Sequence, residues 1–216
     1  MGIEAAIVMI AFVIVAAALA FVVLNMGFST TQKAKTAILS STTEASSALE
    51  IAGKVTGIGY VSKGVLNATI IPIKVASGGD SVNLNPALTT IKYYSNTVRY
   101  DDIYGTDCVL TNQTYNNATS AFAAAVTAGC IDHNPTGSSA QPPSNTTAVI
   151  YWDVSKTPMN NILVEGDHAN IAVAYSSSNR PGALDNIAVE VIVPTGSALT
   201  VERQVPSVTT QVVDLG

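Results

Sequence analysis

Two cysteines, two histidines, a group of aspartates and four asparagine sequons are the residues whose types and spacing bear on chemistry. Cys108 and Cys130 would close a loop of about 22 residues, and a bridge there adds roughly 3 kcal/mol by restricting the unfolded chain. Two buried thiols are the alternative; an exported domain with this single pair favours the disulfide. Asn67, Asn112, Asn117 and Asn145 each begin an N-x-[ST] triplet without Pro in the middle. One triplet arises readily by chance, but four predict a surface that meets a glycosylation machinery. Asp101, Asp102 and Asp107 lie close enough to collect a divalent cation with backbone carbonyls. Such clusters more often form a solvated loop. His133 lies in a Pro/Gly/Ser-rich stretch and His168 follows Asp167. No Gly-rich phosphate loop, C-x-x-C or H-E-x-x-H accompanies them. These residues predict no catalytic, cofactor-binding or metal site, and the protein is expected not to be an enzyme.

The chain consists of two physically different stretches. Residues 1–64 carry a net charge of +1 and residues 65–216 carry −6, for −5 in all. Only 12% of the 216 residues are charged, about half the share of an ordinary soluble domain. That excludes a disordered charged tail. The lack of any basic cluster excludes a nucleic-acid groove, which needs Lys and Arg to neutralise phosphates.

Ile3 to Leu24 reads IEAAIVMIAFVIVAAALAFVVL, with Glu4 its single charge. The length suits a helix that crosses a bilayer. Nothing basic precedes it and no loop follows, so a secretory signal peptide fits poorly. The recurrent alanines let helix backbones approach closely. Glu4 is costly inside an apolar segment unless paired. Its partner is an α-amino group, its own chain's or a neighbour's, or else Glu4 is an ordinary carboxylate favoured by the helix dipole. Beyond Gly27, the positions Ala34, Ile38, Ala45, Leu49 and Ala52 keep a helical stripe. The spacing predicts one helix from Ile3 to about Thr56, some 80 Å long, stopped by Gly57-Ile58-Gly59.

From Val65 the period changes to two. The runs 65–76, 89–100, 148–154, 169–175, 186–193, 199–205 and 208–215 are rich in Val, Ile, Thr and Tyr and separated by Gly, Pro, Asn and Ser. They predict an antiparallel β-sandwich or barrel, Ig-like in its number of short strands. A short helix fits 116–129, ended by Gly129, and 133–147 reads as a surface loop. The expected class is α+β, with residues 1–58 the helix and 59–216 an extracellular β domain.

Residues 2–38, GIEAAIVMIAFVIVAAALAFVVLNMGFSTTQKAKTAI, resemble the N-terminal helix of archaeal flagellins (archaellins), members of the type IV pilin-like superfamily. The segments 166–175 and 187–206 resemble the family's Gly-Asp turn, strand, Pro-x-Gly turn and paired last strands. The resemblance implies a precursor whose basic leader is removed by a prepilin-type peptidase, leaving Met1 at or near the processed terminus. It also implies residence in the membrane before assembly, a filament motor and assembly platform as partners, and a homopolymeric filament that turns for swimming. Helices would pack at the filament axis through Glu4, Ala11, Ala17, Ala18, Phe21 and Leu24. Two other readings remain open: a subunit of an adhesive pilus-like filament, and a membrane-anchored surface binding domain.

Overall fold

A computed structural model describes residues 2–46, 49–137, 140–156 and 160–216. The chain divides into two compact units, Met1–Thr42 and Thr43–Gly216, each considered by itself.

Helix α1, Gly2–Ser46, is one uninterrupted rod, roughly 68 Å long at 1.5 Å per residue. Its apolar residues face every direction, so no stripe marks one side as buried. Three threonines past Gly27 turn their hydroxyls inward: Thr30, Thr31 and Thr36 donate to the carbonyls of Met26, Gly27 and Gln32 at 2.8, 2.8 and 2.9 Å. That lets polar residues continue an apolar helix without demanding outside partners.

The helix is described to Ser46, ten residues short of the expected Thr56. Strands β1 (Leu49–Ile51) and β2 (Thr56–Tyr60) occupy the stretch assigned to the helix. The cause is ambiguous periodicity: Leu49 and Ala52 fit a helical stripe, but Leu49, Ile51 and Val55 also alternate as in a strand. Tertiary pairing decides between them. Leu49 and Val55 are buried, and Glu50 lies opposite Lys74, with the two side chains paired at 2.8 Å.

Thirteen strands are formed by the described residues. After β3 (Val65–Val75) come β4 (Val82–Asn83), β5 (Thr90–Ser95), β6 (Arg99–Tyr100) and β7 (Tyr104–Leu110). Helix α2 (Ala118–Ala128) follows, then β8 (Thr147–Val154), β9 (Ile162–Leu163), β10 (His168–Ala174), β11 (Asn186–Ile192), β12 (Leu199–Gln204) and β13 (Val212–Asp214). A seven-stranded sheet runs β13-β2-β3-β10-β8-β7, with β1 also on β3; a four-stranded sheet runs β12-β11-β5-β6; β4 and β9 pair alone. All pairs are antiparallel except β7 with β8. That parallel pair needs a crossover, and α2 supplies it.

The two larger sheets enclose one core. Ile71, Ile73, Ile150, Trp152, Ile171 and Val173 from the large sheet meet Ile91, Tyr93, Val189, Val191 and Val201 from the small one. Tyr93 and Tyr175 touch across the gap with ring centroids 5.4 Å apart, and the Tyr175 hydroxyl pairs with Thr69 Oγ1 at 2.8 Å. A second cluster lies on the other face of the large sheet, where Phe122, Ala121 and Ala125 of α2 cover Ala68, Val149, Ala172 and Ala174. Strand β10 is therefore buried on both faces, which explains its apolar run from Ile171 to Ala174. Helix α2 begins at Asn117, whose side chain accepts from Ser120 N (2.8 Å), and stops at Gly129, whose left-handed φ of 84° a side chain would resist. Gly59 serves differently: a Cβ there would lie 2.5 Å from the Thr210 carbonyl oxygen, so β2 can be covered only by a glycine.

Candidate functional site

Two features of this molecule have the reach to act on something outside it: the surface of α1, and the asparagines of the β domain. Along α1 every described side chain from Gly2 to Ile38 is exposed. Phe12, Phe21 and Leu24 are 72%, 69% and 62% exposed. At 100° per residue, Glu4, Ala11 and Ala18 fall along one stripe of the rod, and Ala17, Phe21 and Leu24 along another. The first stripe offers small side chains at Ala11 and Ala18 for close approach, and the second offers bulk at Phe21 and Leu24. An apolar helix this long cannot remain in water; at 25 cal/mol per Å2 each exposed Leu or Phe forgoes about 2 kcal/mol of burial. Its described residues are long and apolar enough to cross a membrane.

In the β domain, Cys108 of β7 and Cys130 just past α2 are bonded, with Cα atoms 4.9 Å apart. The bond ties the crossover helix to the edge strand beneath it. Of the sequon residues, Asn112, Asn117 and Asn145 are exposed. Asn112 Oδ1 accepts from the Tyr115 hydroxyl (2.6 Å) and Asn117 Oδ1 caps α2, in both cases leaving the amide nitrogen that a glycan would use. Asn67 does not face outward as expected. It is 4% exposed, its Nδ2 donates to the Pro135 carbonyl at 3.0 Å, and Thr69 of the same triplet is fully buried on Tyr175. A folded domain has no room for a sugar there.

The aspartate group disperses into local duties. Asp102 Oδ1 accepts from Tyr104 N (3.0 Å) and Ile91 N (3.4 Å), and Asp101 faces Arg99 at 3.6 Å. Among the described residues no three His, Cys, Asp or Glu side chains converge as a cation would require. His133 Nδ1 lies 3.1 Å from Asp132. Asp132 is pinned to Ser144: its carboxylate accepts from the Ser144 hydroxyl and backbone N–H, which, with His133, hold its pKa down to about 2. Nothing in the spacing of Asp132 and Ser144 announced this. Asp167 was equally silent: wholly buried, it accepts from Lys156 N at 2.7 Å and holds the turn before β10. Burial raises the pKa of Tyr93 to about 12 and pushes those of Tyr104, Tyr151 and Tyr175 up as well, so these phenols stay neutral and structural.

Comparison with known proteins adds the following. The family described as archaeal-type flagellin matches residues 1–203. "Probable flagellin 1" of Aeropyrum pernix is 36% identical over 211 residues, covering 95% of this chain and 91% of that protein. Flagellin FlaB2 of Saccharolobus shibatae is 39% identical over 106 residues, which are 48% of this chain and 35% of that one. Among solved structures, the archaeal flagellum of Methanospirillum hungatei superposes with a TM-score of 0.60 at 24% identity, covering 95% of this chain and 94% of that one. Flagellin FlaB1 of Methanocaldococcus jannaschii gives 0.58 at 15% identity over 78% and 96%.

Proposed function

The chain belongs to the archaeal-type flagellin family, and from that premise we propose how it polymerises. It is a structural subunit of the archaeal flagellum filament, outside the cell. In our reading, copies of α1 pack side by side at the filament axis through the stripes of Glu4, Ala11 and Ala18 and of Ala17, Phe21 and Leu24. The β domains form the outer wall. The observation that carries this is that every described residue of α1 from Gly2 to Ile38, most of them apolar, is exposed. Before assembly the same helix rests in the membrane, where its apolar surface is equally satisfied. Assembly then exchanges lipid contacts for helix contacts, which small residues favour.

Removal of a leader by a prepilin-type peptidase, delivery by an assembly platform and rotation by a motor for swimming complete the reading. Catalysis forms no part of it. N-linked glycans are assigned to Asn112, Asn117 and Asn145, which face solvent, and not to Asn67. The test is electron microscopy of the native protein together with swimming of a deletion strain. Filaments with α1 at their axis and a non-swimming mutant are expected. Filaments whose loss leaves swimming intact but abolishes attachment would replace this reading with the adhesive one.

A further inference from the structure

The two ends of the β sandwich differ in charge, and each carries exposed apolar side chains. Tyr60 pairs with Val65, and Val65 bridges to Gly182, so residues 60–65 and 180–185 share one end. There Tyr60, Val61 and Leu184 are exposed, and the Arg180 guanidinium lies 5.3 Å from the centre of the Tyr60 ring. Lys63 is exposed beside them with no ion pair among the described residues. The acid of this patch, Asp185, is occupied: it accepts from Gly182 N (2.8 Å) and Asn96 Nδ2 (3.2 Å).

Leu184 is the unusual residue. Its φ of 68° is the left-handed conformation, which glycine or asparagine adopts at far less cost than leucine. It is also 72% exposed, so the fold gains little from its side chain. A strained backbone that displays an apolar group to solvent points to a use outside the domain.

The opposite end holds Val75, which pairs with Leu49, and Val154, which pairs with His168. Val154 and Ile162 are exposed there. Asp80, Asp153 and Glu165 are exposed without an ion pair among the described residues, against one such cation, Lys156, since Lys74 is paired with Glu50. Apolar groups ringed by cations at one end thus answer apolar groups ringed by carboxylates at the other. We infer that these two ends are the halves of a head-to-tail contact between successive copies of this chain, with Tyr60, Leu184 and Lys63 of one copy against Val154, Ile162 and Glu165 of the next. A contact between two different patches repeats without closing and so suits an open filament. The inference rests on the filament reading but concerns the outer wall and not the helical axis.

The test uses native filaments of the full chain. Leu184→Gly relieves the strained φ and removes the side chain. Detergent-dispersed subunits should melt no lower than the parent, while filaments should fall apart at a lower temperature. Lys63→Glu should likewise weaken filaments, and Asp153→Lys with Glu165→Lys in the same chain should restore them. Leu184→Gly filaments as durable as the parent, or no restoration by the paired reversal, would overturn the contact. So would a lower melting temperature of the Leu184→Gly subunit, which would give Leu184 to the fold. Absence of filaments from the unaltered protein would instead sink the filament reading.

Discussion

At the scale of single residues, the asparagines show what a motif can and cannot declare. All four sequons are visible in the sequence, but burial separates them: Asn67 is covered by Pro135, 68 positions away, and no local pattern carries that. Glycopeptide mass spectrometry of native filaments should find sugar on at least one of Asn112, Asn117 and Asn145 and none on Asn67. Occupied Asn67 would mean that Pro135 is not seated over it as described. Asn67→Ala should cost roughly 1–2 kcal/mol, because it leaves the buried Pro135 carbonyl without its donor. Asp132 gives a pH signature. Its folded pKa, lowered by Ser144 to about 2, lies below the ordinary carboxylate value. The stabilisation is therefore present above about pH 4 and is lost as pH falls from there toward 2. Melting temperature followed over that range should drop less in Asp132→Asn than in the parent; identical profiles would remove the role of the pin.

At the scale of elements, the sequence was legible wherever one period stood unchallenged. The apolar rod, the strand runs and the short helix ended by Gly129 all belong to that class. It misled at 49–58, where helical and strand spacings coincide and only pairing with β3 and β13 could choose. Strand β7 (Tyr104–Leu110) lies outside the runs expected from the sequence, because Gly105, Thr106 and Asp107 break its apolar pattern. Its parallel pairing with β8 was hidden as well, since strand patterns do not encode which neighbour a strand will take. Two changes test these elements. Ala17→Asp or Ala18→Asp would bury an unpaired charge among packed helices at a cost of several kcal/mol per subunit. Neither variant should yield filaments, and normal filaments from either would refute packing through these stripes. Replacing both Cys108 and Cys130 by Ser should lower the stability of the dispersed subunit by about 3 kcal/mol, read from denaturant melts with and without reductant.

At the scale of the whole molecule, the division of labour follows from where burial is found. The β domain satisfies itself, with clusters on both faces of its large sheet. The described side chains of the helix from Gly2 to Ile38 are exposed and mostly apolar. Residues 49–216 alone should therefore fold cooperatively and sediment as a monomer at micromolar concentration, since the wall contacts are too weak to act without the axis. Polymerisation of that fragment would show that α1 is dispensable. This arrangement was foreseeable from composition, because the apolar and charge balances change so sharply along the chain. The charge difference between the two ends of the sandwich was not, because it arises only once distant turns are brought together.

The disulfide between β7 and the end of α2 has a mechanical consequence. A chain pulled from its ends lengthens as it unravels by roughly 3.4 Å per residue released. With Cys108 and Cys130 joined across 22 positions, about 75 Å of that slack is never available. A thread subjected to drag along its length would thus surrender less extension before the strain is handed on to its neighbours. Asn112 and Asn117, with any sugars they bear, ride inside the locked segment. Force–extension traces of single chains should show that 75 Å appear only after reduction.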